Sequence, residues 1–159
     1  MGKFRKESKK SDDDLREEGI MLIKNSLKAR EMSEPLLDKI YSDIAEPADY
    51  NWACYMISQS VELALKGMVK YHYESFREGH FVTHNAKLLE NMSDKIPELR
   101  EISESLSLLQ TEYAVKLCKW SKLGRYKKLY VKRPIIEKID TILDDIIKFI
   151  RRHHYELDS

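Results

Sequence analysis

From Ala48 to about Phe76 the chain is apolar on nearly every side of a 3.6-residue repeat, interrupted by one polar stripe. The run opens Trp52-Ala53-Cys54-Tyr55-Met56-Ile57, continues Gln59-Ser60-Val61-Glu62-Leu63-Ala64-Leu65-Lys66-Gly67, and contains no proline. Gln59, Glu62 and Lys66 lie three and four apart, which puts them on one face of a helix. A helix that is apolar on most sides belongs in the middle of a bundle. Polar groups there need partners, or each costs about 1–3 kcal/mol. The stripe is therefore either a satisfied structural network, with Glu62 and Lys66 as an i,i+4 pair and His84 or Arg125 as a further partner, or a site. In the second case Glu62 and Lys66 line a groove beside the basic stretch described below, with His84 as a hydrogen-bond donor.

The flanking periodicities predict more helices. Ser11 followed by Asp12, Asp13 and Asp14 is a helix start, because the hydroxyl can cap and the carboxylates favour the positive end of the dipole. Leu15, Ile20, Ile23 and Leu27 carry that helix to about Met32. A shorter helix is expected from Glu34 to Ile44, with Pro35 in its first turn and Leu36, Leu37, Ile40 and Ile44 on one face. Glu46-Pro47 ends it. Arg77-Glu78-Gly79-His80 reads as a loop, after which Thr83 caps a helix containing Leu88, Leu89 and Met92. Pro97 opens a long helix with Leu99, Ile102, Leu106, Leu109, Tyr113 and Leu117 along one side, ending near Gly124. Arg133-Pro134 starts a last amphipathic helix through Ile135, Ile136, Ile139, Ile142, Leu143, Ile146, Ile147 and Ile150. No stretch alternates with a period of two and no internal repeat is visible. The expectation is an all-α, five- to six-helix up-and-down bundle, with residues 1–10 as a disordered basic tail and residues 11–155 as a single domain.

Composition narrows the chemistry. With 159 residues, a formal charge of +1 and 35% charged side chains, the chain is long enough for one helical core and is not a generic polyanion binder. Its positive charge is nevertheless concentrated. Lys116, Lys119, Lys122, Arg125, Lys127, Lys128, Lys132 and Arg133 follow one another with no Asp or Glu between them, interleaved with Trp120, Tyr126 and Tyr130. Such cations can neutralise phosphates while aromatic faces stack on bases, which makes Lys119, Lys122, Arg125, Tyr126, Lys128 and Lys132 candidate nucleotide- or RNA-binding residues. The plainer reading is that Trp120 and Tyr126 anchor an interhelical turn in the core and the lysines solvate it.

Other classes are set aside. The start, Met1-Gly2-Lys3-Phe4-Arg5-Lys6, has no apolar segment of the secretory kind, and Lys6 stands where a myristoylation signal needs Ser or Thr. No apolar run reaches the roughly twenty residues of a membrane span. Cys54 and Cys118 fall inside apolar helical patterns and are expected as buried free thiols of a cytoplasmic protein. Neither has His or Cys neighbours at ligand spacing, so neither a metal nor a cofactor is expected.

Three segments, in order, carry a family resemblance. Tyr55-Met56-Ile57-Ser58-Gln59-Ser60-Val61-Glu62-Leu63-Ala64-Leu65-Lys66-Gly67 resembles the central helix of HEPN domains, with its Gln-Gln-Ala-Val-Glu-Lys-Ala-Leu-Lys-like run. Thr83-His84-Asn85-Ala86-Lys87-Leu88-Leu89 resembles the Thr-His-Asp-Leu…Leu segment that follows in that family, and Arg125-Tyr126 falls where many members have Arg-Tyr-Pro. Together they cover roughly residues 12–152. The resemblance implies a small helical bundle, commonly a homodimer, often encoded beside a minimal nucleotidyltransferase. Some members are metal-independent RNases of toxin–antitoxin or phage-defence systems, and others bind nucleotides or partner proteins without cleaving anything. In the RNase members an arginine is followed after four to six residues by a histidine, the His moving a proton and the Arg holding the scissile phosphate.

This chain departs from that motif. After Arg125 the histidine window reads Tyr130, Val131 and Lys132. Arg77 and His84 do have the right separation, but earlier than the family's catalytic position. Arg151, Arg152, His153 and His154 close the last helix, where positive charge suits the dipole. The expected function is a non-catalytic HEPN-like module that binds a nucleotide or RNA, or serves as partner subunit of a nucleotidyltransferase. The alternative is a metal-independent RNase using Arg125 or the Arg77/His84 pair.

Overall fold

A computed structural model describes residues 11–72, 82–123, 131–153, 155 and 157. Helix α1 spans Asp12–Tyr41 and α2 spans Pro47–His72. Ser11 caps α1 as expected, its Oγ accepting from the Asp14 amide at 3.2 Å. The anticipated break at Pro35 is absent, and α1 is continuous through it. Its buried positions Gly19, Ile23, Ser26, Ala29, Ser33, Leu37 and Ile40 keep a three- and four-residue spacing across the proline. Pro35 and Glu31, whose carbonyl would have accepted the missing amide bond, both lie on the exposed side. Burial of Leu37 and Ile40 in the same stripe offsets the roughly 3 kcal/mol that an interior proline costs.

The α1–α2 turn is fully bonded. The Asp43 amide donates to Ile40 O and the Ile44 amide to Lys39 O, with Asp43 in the left-handed region at φ 57°. That is a Schellman end, completed by an Asp where Gly is more usual. Asp49 then reaches back to the Glu46 amide at 2.8 Å, closing the first turn of α2.

α1 and α2 pack antiparallel and very closely. A Cβ on Gly19 would lie 2.7 Å from Gly67 O and 2.7 Å from the Tyr71 amide nitrogen, and one on Gly67 would lie 2.8 Å from Gly19 O. Further along the same seam Ser26 Oγ donates to Ser60 O at 2.6 Å and Ser60 Oγ donates to Ser26 O at 2.9 Å. Small residues let the backbones approach, and two reciprocal hydroxyl bonds satisfy what that approach buries.

Helix α3 spans Val82–Met92, so Thr83 sits in its first turn rather than capping it. The single long helix expected from Pro97 is divided into three. A 3-10 segment, Pro97–Ile102, leads into α4, Ser103–Thr111, and then α5, Ala114–Leu123. At the α4–α5 junction the Glu112 and Tyr113 amides both bond to Leu108 O, at 3.0 and 3.1 Å, and the Leu117 amide restarts the ladder on Tyr113 O. The re-aimed α5 buries Leu117 and Trp120 in the core alongside Tyr113. Helix α6 spans Arg133–Arg152 as the sequence predicts. Among the described residues six α-helices form an up-and-down bundle, with no strand and no helix long and apolar enough to cross a membrane.

Two polar clusters pin α6. Near its start Arg30 pairs with Asp140 at 2.6 Å, Tyr41 donates to Asp140 at 3.0 Å, and Arg133 pairs with Asp43 and Glu137 while lying over the Tyr41 ring. Beyond its end Tyr155 is buried beside Tyr71 and Phe149, and its hydroxyl lies 2.7 Å from His72 Nε2. Burial first, and Arg16 second, lower the His72 pKa to about 4, so the imidazole that shares this hydrogen bond with the Tyr155 hydroxyl is neutral.

Two stability measurements test this packing. Glycine to alanine inside a helix ordinarily stabilises by about 1 kcal/mol. Gly67→Ala should instead destabilise by about 1–3 kcal/mol in urea titrations, because backbone atoms cannot rotate away from the new methyl; a stabilised variant would show that the helices can part freely. His72 binds its proton more weakly folded than unfolded, so its contribution is complete above pH 6.5 and is lost as pH falls towards 4. The loss should reach about 2 kcal/mol after allowance for partial exposure, and His72→Phe should flatten that part of the stability–pH curve.

Candidate functional site

Because α5 turns at Tyr113 and runs against α2 and α3, a groove of about 780 Å³ opens where the three meet. Each helix contributes a pair of residues four apart: Ser58 and Glu62 from α2, Thr83 and Lys87 from α3, Cys118 and Lys122 from α5. Val82, Val115 and Leu117 supply apolar wall, and His84 stands on the rim. The floor and rim differ in exposure. Ser58 is buried and Glu62 half-buried, whereas Thr83, His84, Lys87 and Lys122 are exposed. Two of the hydroxyls turn back on their own helices, Ser58 onto Tyr55 O at 2.7 Å and Ser121 onto Cys118 O at 3.2 Å. The first turn of α3 also borders the groove, and the amides of a helical first turn have no acceptor within their own helix. The result is an apolar slot with two lysines, a histidine and the N-terminal turn of α3 at its mouth and one carboxylate on its floor.

The residues singled out from the sequence are distributed unevenly. Glu62, His84 and Lys122 line this groove together. Gln59 and Lys66 are half-buried on α2 and are not part of its lining. Lys119 is exposed on α5 outside the lining, and Lys132 is exposed at the start of α6. Arg133 is held by Asp43 and Glu137, so it belongs to the fold. Trp120 is 3% exposed and is a core residue, as the plainer reading of the basic stretch has it. Arg77, Arg125, Tyr126 and Lys128 lie outside the described residues, as do the tail 1–10 and the loop Arg77–His80.

The cysteines separate. Cys54 is fully buried, and burial pushes its thiol up to about 12. Cys118 is half-buried in the groove wall, where a buried position was expected, because the turn at Tyr113 rotates α5 to place Leu117 and Trp120 inward. Thr83, Lys87, Ser58 and Ser121 were not singled out as site residues. Their signal was nearness on a helix to residues that were, Ser58 four before Glu62, Ser121 four before Arg125, Lys87 three after His84 and Thr83 next to it, but which helices meet could not be read from spacing. Among the described residues no group of three or more His, Cys, Asp or Glu could hold a metal ion.

A family model described as HEPN domain matches residues 30–150. The chain belongs to the HEPN domain family. The match takes in the C-terminal part of α1 from Arg30, all of α2 to α5 and α6 as far as Ile150, so every groove residue falls inside the HEPN region. The all-α bundle is the fold of that family. No curated protein and no solved structure matches the chain.

The groove geometry gives a direct chemical readout. A thiol reagent such as dithionitrobenzoate should modify Cys118 in the native HEPN domain within minutes and reach Cys54 only on unfolding. Equal labelling of both would show that the α2 core opens readily.

Proposed function

We propose that this HEPN domain is a non-catalytic binding module that takes a ligand of the nucleotide class in the α2–α3–α5 groove. The observation that carries the reading is the convergence of Lys87, Lys122, His84 and the first turn of α3 on the mouth of an apolar slot. Phosphate oxygens suit that mouth, since helix-start amides and ammonium groups are both anion donors. A base suits the walls of Val82, Val115 and Leu117, and Glu62 can accept from an amino group or a ribose hydroxyl. A volume of about 780 Å³ is that of a small-molecule site rather than of a duplex track. The same reading has the domain acting in the cytoplasm, as a homodimer or as the partner of a nucleotidyltransferase. Both arrangements are common in the family.

Purified protein titrated with ATP, GTP and a mixed single-stranded RNA pool, at low and moderate salt without metal, tests this. Lys87→Ala and Lys122→Ala should each weaken nucleotide binding by about tenfold, the scale of one charge-assisted bond. Lys119→Ala, whose residue stands outside the lining, should change little, and equal losses in all three would point to a diffuse basic surface. Cleavage of the RNA pool that disappears in His84→Ala or Arg125→Ala would replace the binding module with an RNase of a toxin–antitoxin or phage-defence type.

A further inference from the structure

The hydrogen-bonding groups of the α2–α3–α5 groove are sorted by direction. Ser58 and Ser121 both line it, and both give their hydroxyl protons to carbonyls of their own helices, Tyr55 O and Cys118 O. What each hydroxyl still offers the groove is a lone pair. Glu62 stands one turn beyond Ser58 on the same face of α2, half-buried, and a carboxylate only accepts. An interaction within the fold already engages Glu62, yet two carboxylate oxygens with about four lone-pair sites keep room for further donors. The charged and imidazole donors are elsewhere, because Lys87, Lys122 and His84 are exposed at the mouth. The lining side chains therefore accept hydrogen bonds inside the groove and donate them at its rim.

A nucleotide whose phosphates sit at that rim must turn a donor-rich base edge inwards. The bases differ on this point. Guanine carries N1–H and the 2-amino group side by side, two adjacent donors that match the two oxygens of one carboxylate. Adenine and cytosine set a single amino group beside a ring-nitrogen acceptor, and uracil places N3–H between two carbonyls. Each of these would bring a lone pair against the Glu62 oxygens, which forfeits a hydrogen bond and leaves two acceptors unsatisfied. The apolar walls do not discriminate, since every base has a face to lay against them.

We infer, resting on the nucleotide reading of this groove, that it selects guanine over the other bases and that Glu62 is the residue that reads the base. Phosphate contacts at Lys87 and Lys122 position any nucleotide alike, so discrimination falls to the floor. The floor is held for that task. Ser60, two residues before Glu62, is bonded to Ser26 across the α1–α2 seam, and Ser58 is 2% exposed. The backbone that carries the carboxylate is thus fixed before any ligand arrives.

Isothermal titration calorimetry of the full chain with the triphosphates of guanosine, inosine, xanthosine and adenosine, without metal, tests the assignment. The unaltered protein should bind GTP more than about tenfold tighter than ATP, the scale of one hydrogen bond to a charged group. Inosine triphosphate, which keeps N1–H but lacks the 2-amino group, should fall between them. Glu62→Gln should reverse the order of guanosine and xanthosine, because the amide donates to the 2-carbonyl of xanthine and accepts from its N1–H. A loosened fold weakens every ligand and reverses no preference. Lys122→Ala should weaken GTP and ATP by the same factor and leave their ratio unchanged. Equal binding of GTP and ATP, or Glu62→Gln weakening all four ligands alike, would overturn the base assignment and leave the nucleotide reading standing. No binding of any of the four would remove both. A single-stranded RNA with one guanine among uridines separates the two sources of the base: the free nucleotide should bind more tightly, and the reverse order would give the groove to an RNA chain.

Discussion

The close approach of α1 and α2 is the constraint on which the remainder of the bundle depends. At Gly19 and Gly67 the two backbones are in contact with no room for a single carbon between them, and at Ser26 and Ser60 they are joined by reciprocal hydroxyl-to-carbonyl bonds. Two long helices fixed at that distance behave as one slab. α2 presents its remaining faces outwards from the slab, and α3, α5 and α6 pack on them. A looser pair would allow α2 to rotate, and Ser58 and Glu62 would no longer be aimed where α3 and α5 converge.

The second determinant is the interruption at Tyr113. A straight helix from Pro97 onward would carry Leu106, Leu109, Leu117 and Trp120 along a single face, yet the core they fill is not straight. Two amides sharing the Leu108 carbonyl end α4, and α5 restarts in a new direction with Leu117 and Trp120 still buried. That redirection brings Cys118, Ser121 and Lys122 over the α2–α3 cleft.

Charge follows the same logic. In the sequence the basic stretch reads as one patch, but within the described residues its members have different roles. Lys122 faces a groove, Trp120 is core, and Arg133 ties α6 to the α1–α2 turn through Asp43 and Tyr41. A run of like charges in one dimension does not define a surface in three, because successive residues on a helix point about 100° apart.

Much of the fold was legible in local pattern. The cap at Ser11, the break at Glu46-Pro47 between two helices, the buried character of α2 and the whole of α6 were readable, because amphipathic period and end chemistry are properties of neighbouring residues. The family resemblance in the α2 and α3 segments came from the same local runs. Glu62, His84 and Lys122 could be singled out as polar positions in or near apolar helices, although nothing in their spacing said that they would meet. What only the tertiary structure decided were the matters in which distant burial competes with local preference. Pro35 did not break α1, because Leu37 and Ile40 hold their register against α2. The helix after Pro97 did break, because a straight one could not bury both of its apolar ends. The groove residues come from three separate helices, and the distance between helices is set by packing volume, which no single segment contains.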